Sequence, residues 1–164
     1  MLGAMRTYQI EQRRLTTATT AVVRSSLLVS EIPAFMGHAF GSVAQILASQ
    51  GIPLVGPPFA RYHHVDGDRF SVEAGFPTTT AVFPTDDVVA SSLPAGPAAV
   101  MTYVGPYDEM QPAYEALAEW IVRNGGTPTG APWEVYFTDP SEEPDPQKWR
   151  TEIVMPFHVA DTVG

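Results

Sequence analysis

Apolar positions along this chain fall into two alternating periods. Ile32, Phe35, Met36, Ala39, Val43, Ile46 and Leu47 recur at the three- and four-residue spacing of an amphipathic helix, with Ser30 as candidate N-cap and Gly51 as the stop. Met110, Ala113, Tyr114, Leu117, Trp120 and Ile121 repeat that spacing, opened by Asp108 and stopped by Gly125-Gly126. Around these helices, runs rich in β-branched and aromatic residues predict strands near 19–28, 59–65 and 70–76, then near 98–104, 133–138 and 150–157. Asp66-Gly67 supplies a tight hairpin turn. Further edge strands fall near 8–14 and 87–92.

The two halves match each other. Leu15 to Val22 lies over Leu93 to Val100 at an offset of 78, and Pro33-Ala34-Phe35 over Pro112-Ala113-Tyr114 at 79. Gly56 to Tyr62 lies over Gly130 to Tyr136 at 74, and Val72 to Pro77 over Thr151 to Pro156 at 79. The drop after the helix predicts a first helix about one turn longer than the second, because a turn holds about 3.6 residues and its removal keeps the apolar face in register. The later gain falls in the acidic, proline-rich stretch Asp139 to Lys148, an expected exposed loop. The predicted fold is α+β: one domain over 1–164 of two pseudo-symmetric βαββ modules, about 15–77 and 93–157. Their strands would form one curved, mainly antiparallel sheet carrying two main helices and a central ligand groove.

Length and composition sharpen this picture. A chain of 164 residues, 45% hydrophobic and 16% charged, can bury a core and lacks the signature of disorder. Its net charge of −9 repels phosphate backbones, so direct nucleic acid binding is not expected. Without cysteine there is no disulfide, thiol nucleophile or zinc ribbon. Nowhere do about 18 apolar residues run together, and no export signal is visible, so the expectation is a cytoplasmic protein that does not engage a membrane.

Strand parity narrows the candidate groove. Glu134 and Tyr136 share one face of their strand, while Trp133, Val135 and Phe137 share the other. On the last strand Glu152 and Val154 oppose Thr151, Ile153, Met155 and Phe157, which places Glu152 on the face away from the expected core. The repeat pairs Tyr62 with Tyr136, Glu73 with Glu152 and Ala60 with Glu134. A cluster of carboxylates and aromatic rings suits an organic cation or a flat heteroaromatic molecule, through cation-π attraction and charge neutralisation. Parity alone favours the plainer alternative, a solvent-exposed Glu with a neighbouring Tyr shielding the sheet.

The ordered set LPAG at Leu93 to Gly96, GPYDE at Gly105 to Glu109, Trp120-Ile121, Asn124-Gly125, PWEVYFTDP at Pro132 to Pro140 and WRTEI at Trp149 to Ile153 resembles the GyrI-like family, the effector-binding domain of AraC-type and MerR-type multidrug regulators. The resemblance implies two strand-helix-strand-strand modules around a drug-binding groove. It implies lipophilic, often cationic, aromatic or heteroaromatic small molecules as partners, with Glu152 first among the ligand contacts, Tyr136, Trp133 and Glu134 nearby, and Tyr62, Glu73 and Tyr103 as further candidates. A helix-turn-helix would need about 50 further residues, so a stand-alone multidrug-binding protein is expected. The resemblance carries two alternatives: a hydrolase opening the cyclopropane of DNA-alkylating natural products, with Glu152 as general base, and a gyrase-interacting inhibitor.

Other chemistry lacks support. His63 and His64 point to opposite faces of a strand, and His38 and His158 have no ligand-spaced companions, so no metal site is expected. Asp66-Gly67-Asp68 lacks the remaining positions of a calcium loop. No GxSxG elbow, phosphate-binding glycine loop or dinucleotide fingerprint is present, and no cofactor is expected.

Overall fold

The computed structural model describes residues 8–159. Each half of the chain contains the expected strand, helix, strand, strand order behind a leading edge strand, and the second half adds a short strand after its helix that the sequence does not signal. The first comprises β1 (Ile10–Leu15), β2 (Ala18–Leu28), α1 (Ile32–Gln50), β3 (Phe59–Asp66) and β4 (Arg69–Pro77). The second comprises β5 (Val89–Leu93), β6 (Gly96–Val104), α2 (Gln111–Arg123), β7 (Gly126–Pro128), β8 (Trp133–Tyr136) and β9 (Arg150–Val159). The β3–β4 hairpin turns close to the expected place but one residue later, through Gly67-Asp68 between the paired Asp66 and Arg69, with Gly67 at φ +49°.

The helix starts differ from the sequence expectation. Ser30 and Asp108 do not cap the helices; each lies in a short 3-10 turn, Val29–Glu31 and Tyr107–Glu109, and each helix then begins with proline in its first turn. Pro33 and Pro112 lack the N–H that a cap would satisfy there. The Glu31 carboxylate instead accepts the Leu28 N–H at 2.8 Å. Helix α1 has 19 residues against 13 for α2, a larger excess than the single turn expected.

The strands join in the order β1-β6-β9-β8-β3-β4-β2-β5, every pairing antiparallel, with β7 added beside β9. Each module's leading strand crosses to the other module: β1 pairs with β6, and β5 with β2. Because β1 runs on into β2 and β5 into β6, the two ends of the sheet are drawn toward each other and the sheet curls. At its middle the modules meet through only three pairs, Phe59 with Val135, Ala60 with Glu134 and Arg61 with Trp133.

Both faces of the curled sheet carry core. Leu47, Val43 and Ala39 of α1 pack on Val23, Val72 and Ala74, while Ile121, Leu117 and Ala113 of α2 pack on Met101, Ile153 and Phe157. The opposite, inner face holds a third cluster, with Val22, Phe59, Leu93, Val100, Trp133 and Val154. Closure of that inner face depends on one glycine. A Cβ on Gly75 would lie 1.8 Å from the Ala21 carbonyl oxygen, inside any tolerable contact with backbone. We expect Gly75→Ala to lower the urea unfolding free energy by at least about 3 kcal/mol, the upper range of overpacking costs. Unchanged stability would contradict this packing.

Candidate functional site

On the helix-bearing face, the meeting point of the modules is hollow. A cavity of about 1660 Å³ lies between the first turns of α1 and α2 and the sheet beneath them. Its floor is the β3–β8 junction. The junction is reciprocal: the Tyr62 N–H donates to the Pro132 carbonyl and the Tyr136 N–H to the Pro58 carbonyl. This brings the hydroxyls of Tyr62 and Tyr136 to 2.7 Å from each other.

Glu134 lies one alternation before Tyr136 on the same face, and is buried. Its carboxylate accepts a hydrogen bond from the Tyr136 hydroxyl at 2.8 Å and a second, short one from Tyr114 of α2. Among the described residues no Arg, Lys or His forms an ion pair with it. Desolvation pushes the Glu134 carboxyl above its ordinary pKa, and the Tyr114 and Tyr136 hydroxyls oppose that shift by favouring the ionised form. Burial, together with the Glu134 charge, holds the phenols of Tyr62, Tyr114 and Tyr136 well above their usual range. The three tyrosines therefore remain donors.

Aromatic rings extend from this centre to the mouth. Tyr107 packs edge-on against Tyr136, with centroids 5.7 Å apart, and lies 4.9 Å from Trp149 of the 139–149 loop. Phe40 of α1 contacts both Tyr136 and Phe76, and Tyr62 meets Phe70 edge-on. Asp108, Asp139 and Glu142 stand at the rim.

Of the residues proposed from sequence, the cavity brings together Glu134, Tyr136 and Tyr62. Glu152 does lie on the face away from Ile153, Met155 and Phe157, as strand parity predicts, but the expectation that this face carries the ligand groove needs correcting. In the β8–β9 register Glu152 stands opposite Val135, and Trp133 opposite Val154, so Glu152 shares the inner face with Trp133 and lies away from the cavity. There it pairs with Arg13 at 3.0 Å. The error has a physical cause: with core on both faces, the side away from the core means opposite sides on β8 and β9. Glu73, its counterpart in the repeat, also lies on the inner face, 2.6 Å from Arg24 and hydrogen bonded by Ser91. Trp133 is buried beneath the Arg61 guanidinium, and Tyr103 is buried with its hydroxyl donating to the Pro106 carbonyl. Neither lines the cavity.

Sequence reasoning missed Tyr114, Tyr107 and the cavity side of α1. For Tyr114 a signal existed, since the repeat sets it over Phe35 and thereby marks a gained hydroxyl. Among the described residues, no group of three or more His, Asp or Glu is disposed to hold a metal ion, and no helix is long and apolar enough to cross a membrane.

The family model for the GyrI-like small molecule binding domain matches residues 8–158. The chain belongs to the GyrI-like family. No curated protein matches it significantly in sequence. Among solved structures, this GyrI-like chain superposes on the C-terminal domain of EcmrR with a TM-score of 0.80 at 20% identity, covering 93% of this chain and 99% of that one. It spans 58% of the EcmrR chain in a DNA-bound transcription complex, with a TM-score of 0.79 at 20% identity over 93% of this chain. SAV2435 bound to tetraphenylphosphonium matches with a TM-score of 0.59 at 16% identity, over 93% of this chain and 94% of that one. A hydrolase from Listeria innocua matches with a TM-score of 0.64 at 14% identity, over 92% of each chain. These likenesses establish the shared fold; small-molecule binding is the property of the GyrI-like domain as a family.

The raised carboxyl has a consequence for stability. A folded-state pKa above the unfolded one favours the protonated protein, so this contribution is present below the unfolded value and lost as pH rises through the folded one. Glu134→Gln, which mimics the protonated form, is expected to gain stability relative to wild type as pH rises from the unfolded glutamate range toward neutrality. Urea denaturation across that range measures it, and a pH-independent difference would contradict the assignment.

Proposed function

We propose that this protein binds lipophilic aromatic cations across a broad range of chemical structures, with Glu134 as the anionic partner. The observation that carries this reading is a buried carboxylate stabilised by tyrosine hydroxyls, without a cationic partner among the described residues, inside an aromatic cavity. A buried charge left without a counter-ion is costly. An incoming cation supplies the missing charge, and Tyr62, Tyr136, Tyr107 and Phe40 offer ring faces and edges to its apolar body. The net charge of −9 and the acidic rim draw cations toward the mouth. Capture of tetraphenylphosphonium by SAV2435, which shares the fold, supports the same ligand class here. Sensing and sequestration both follow from such binding.

Titration with tetraphenylphosphonium, followed by calorimetry, tests this. Wild type is expected to bind, Glu134→Gln to lose about tenfold or more in affinity, and Glu152→Gln to bind as wild type does. Because the cation favours ionised Glu134, affinity falls as pH drops below the raised Glu134 pKa, by up to about tenfold per unit. Equal binding by wild type and Glu134→Gln at every pH would refute the role of Glu134. Time-dependent opening of a cyclopropane-bearing substrate that is lost in Glu134→Gln would replace binding by hydrolysis as the reading.

A further inference from the structure

The duplication makes the cavity from two equivalent half-sites, and the chemistry of those halves has diverged in one direction. At the offset of 79, Val29 matches Asp108, Ile32 matches Gln111 and Phe35 matches Tyr114; at 74, Ala60 matches Glu134. In all four pairs the first module is apolar and the second polar or acidic. The hydrogen-bonded pair Tyr114 and Glu134 has as its counterpart Phe35 and Ala60, which cannot form it. His63 and His64 reverse the trend, as does Glu31 over Met110 at the offset of 79, but His63, His64 and Glu31 are all exposed.

Helix α1 deepens the contrast. Ile32, Met36 and Phe40 recur every four residues along its cavity side, and Pro33 and Gly37 lie between them on that side. Gly37 is in the helix interior, where glycine destabilises relative to alanine. No close approach requires it, because a Cβ there would meet nothing within 4 Å. Its missing side chain leaves the apolar half open. A volume of about 1660 Å³ also exceeds the roughly 300–1,000 Å³ of common ligand pockets.

Resting on the cation-binding reading above, we infer that the preferred ligand is an elongated cationic amphiphile. Its charged head lies against Glu134 and Tyr114 in the second-module half, and its hydrocarbon or arylalkyl tail lies along Ile32, Met36, Gly37 and Phe40 of α1. The duplicated site thus sets a ligand's direction as well as its charge. A compact symmetric cation fills only one half.

The test is a series of N-benzyl-N,N-dimethylalkylammonium ions with methyl, butyl, hexyl and octyl chains, titrated below their micelle concentrations, beside alkyl sulfonates of the same lengths. Affinity of wild type is expected to rise about two- to fourfold per added methylene. The sulfonates are expected to bind at least about tenfold more weakly at each length. Gly37→Phe, which fills the tail region, should flatten the chain-length dependence, while Glu134→Gln lowers the whole series and keeps the slope. Cations that bind wild type with one affinity regardless of chain length overturn this inference and leave the cation site standing. Failure of every cation to bind overturns both readings, and a chain-length slope untouched by Gly37→Phe in a folded variant overturns the placement of the tail.

Discussion

A single carboxylate, held away from water by the packing of two modules, organises the site. Glu134 is at the three-pair junction between β3 and β8, where backbone pairing forces its side chain toward the helices. It keeps its place because Tyr114 reaches it from α2 and Tyr136 from its own strand. Those hydroxyls are neutral donors, so they satisfy oxygen lone pairs without cancelling charge. When Glu134 is ionised the cavity therefore carries an uncancelled negative charge, held by the same contacts that dock α2 on the sheet.

Duplication supplies the geometry and divergence supplies the chemistry. Crossing of β1 to β6 and of β5 to β2 ties the modules together and curls the sheet around an inner core. That curl separates two kinds of carboxylate. Glu73 and Glu152 lie on the inner face and meet Arg24 and Arg13; Glu134 lies on the helix face and meets tyrosines. Equivalent positions in the repeat have kept their backbone roles, as the reciprocal bonds of Tyr62 and Tyr136 show, while Ala60 and Glu134 have come to differ completely in polarity.

Much of this was legible before any coordinates. The helical spacing from Ile32 to Leu47, the Asp66-Gly67 turn signal and the internal repeat are local or self-referential, and they are enough to set the element order. Parity on one strand correctly set Glu134 and Tyr136 together and Trp133 apart. What parity cannot supply is register between strands: Val135 stands opposite Glu152 because of how the 139–149 loop returns the chain, and that is a tertiary fact. A sheet with core on both faces makes the same apolar alternation mean opposite things on neighbouring strands. The 3-10 turns ahead of both helices likewise overrode Ser30 and Asp108 as caps, since Pro33 and Pro112 already start those helices without them.

The most direct measurement is the titration of the Glu134 side-chain carboxyl carbon by NMR, in the free protein and with a lipophilic cation bound. The account predicts a midpoint above the usual glutamate range in the free protein, moving down when the cation is present. A midpoint in the ordinary range that does not respond to the cation would contradict it.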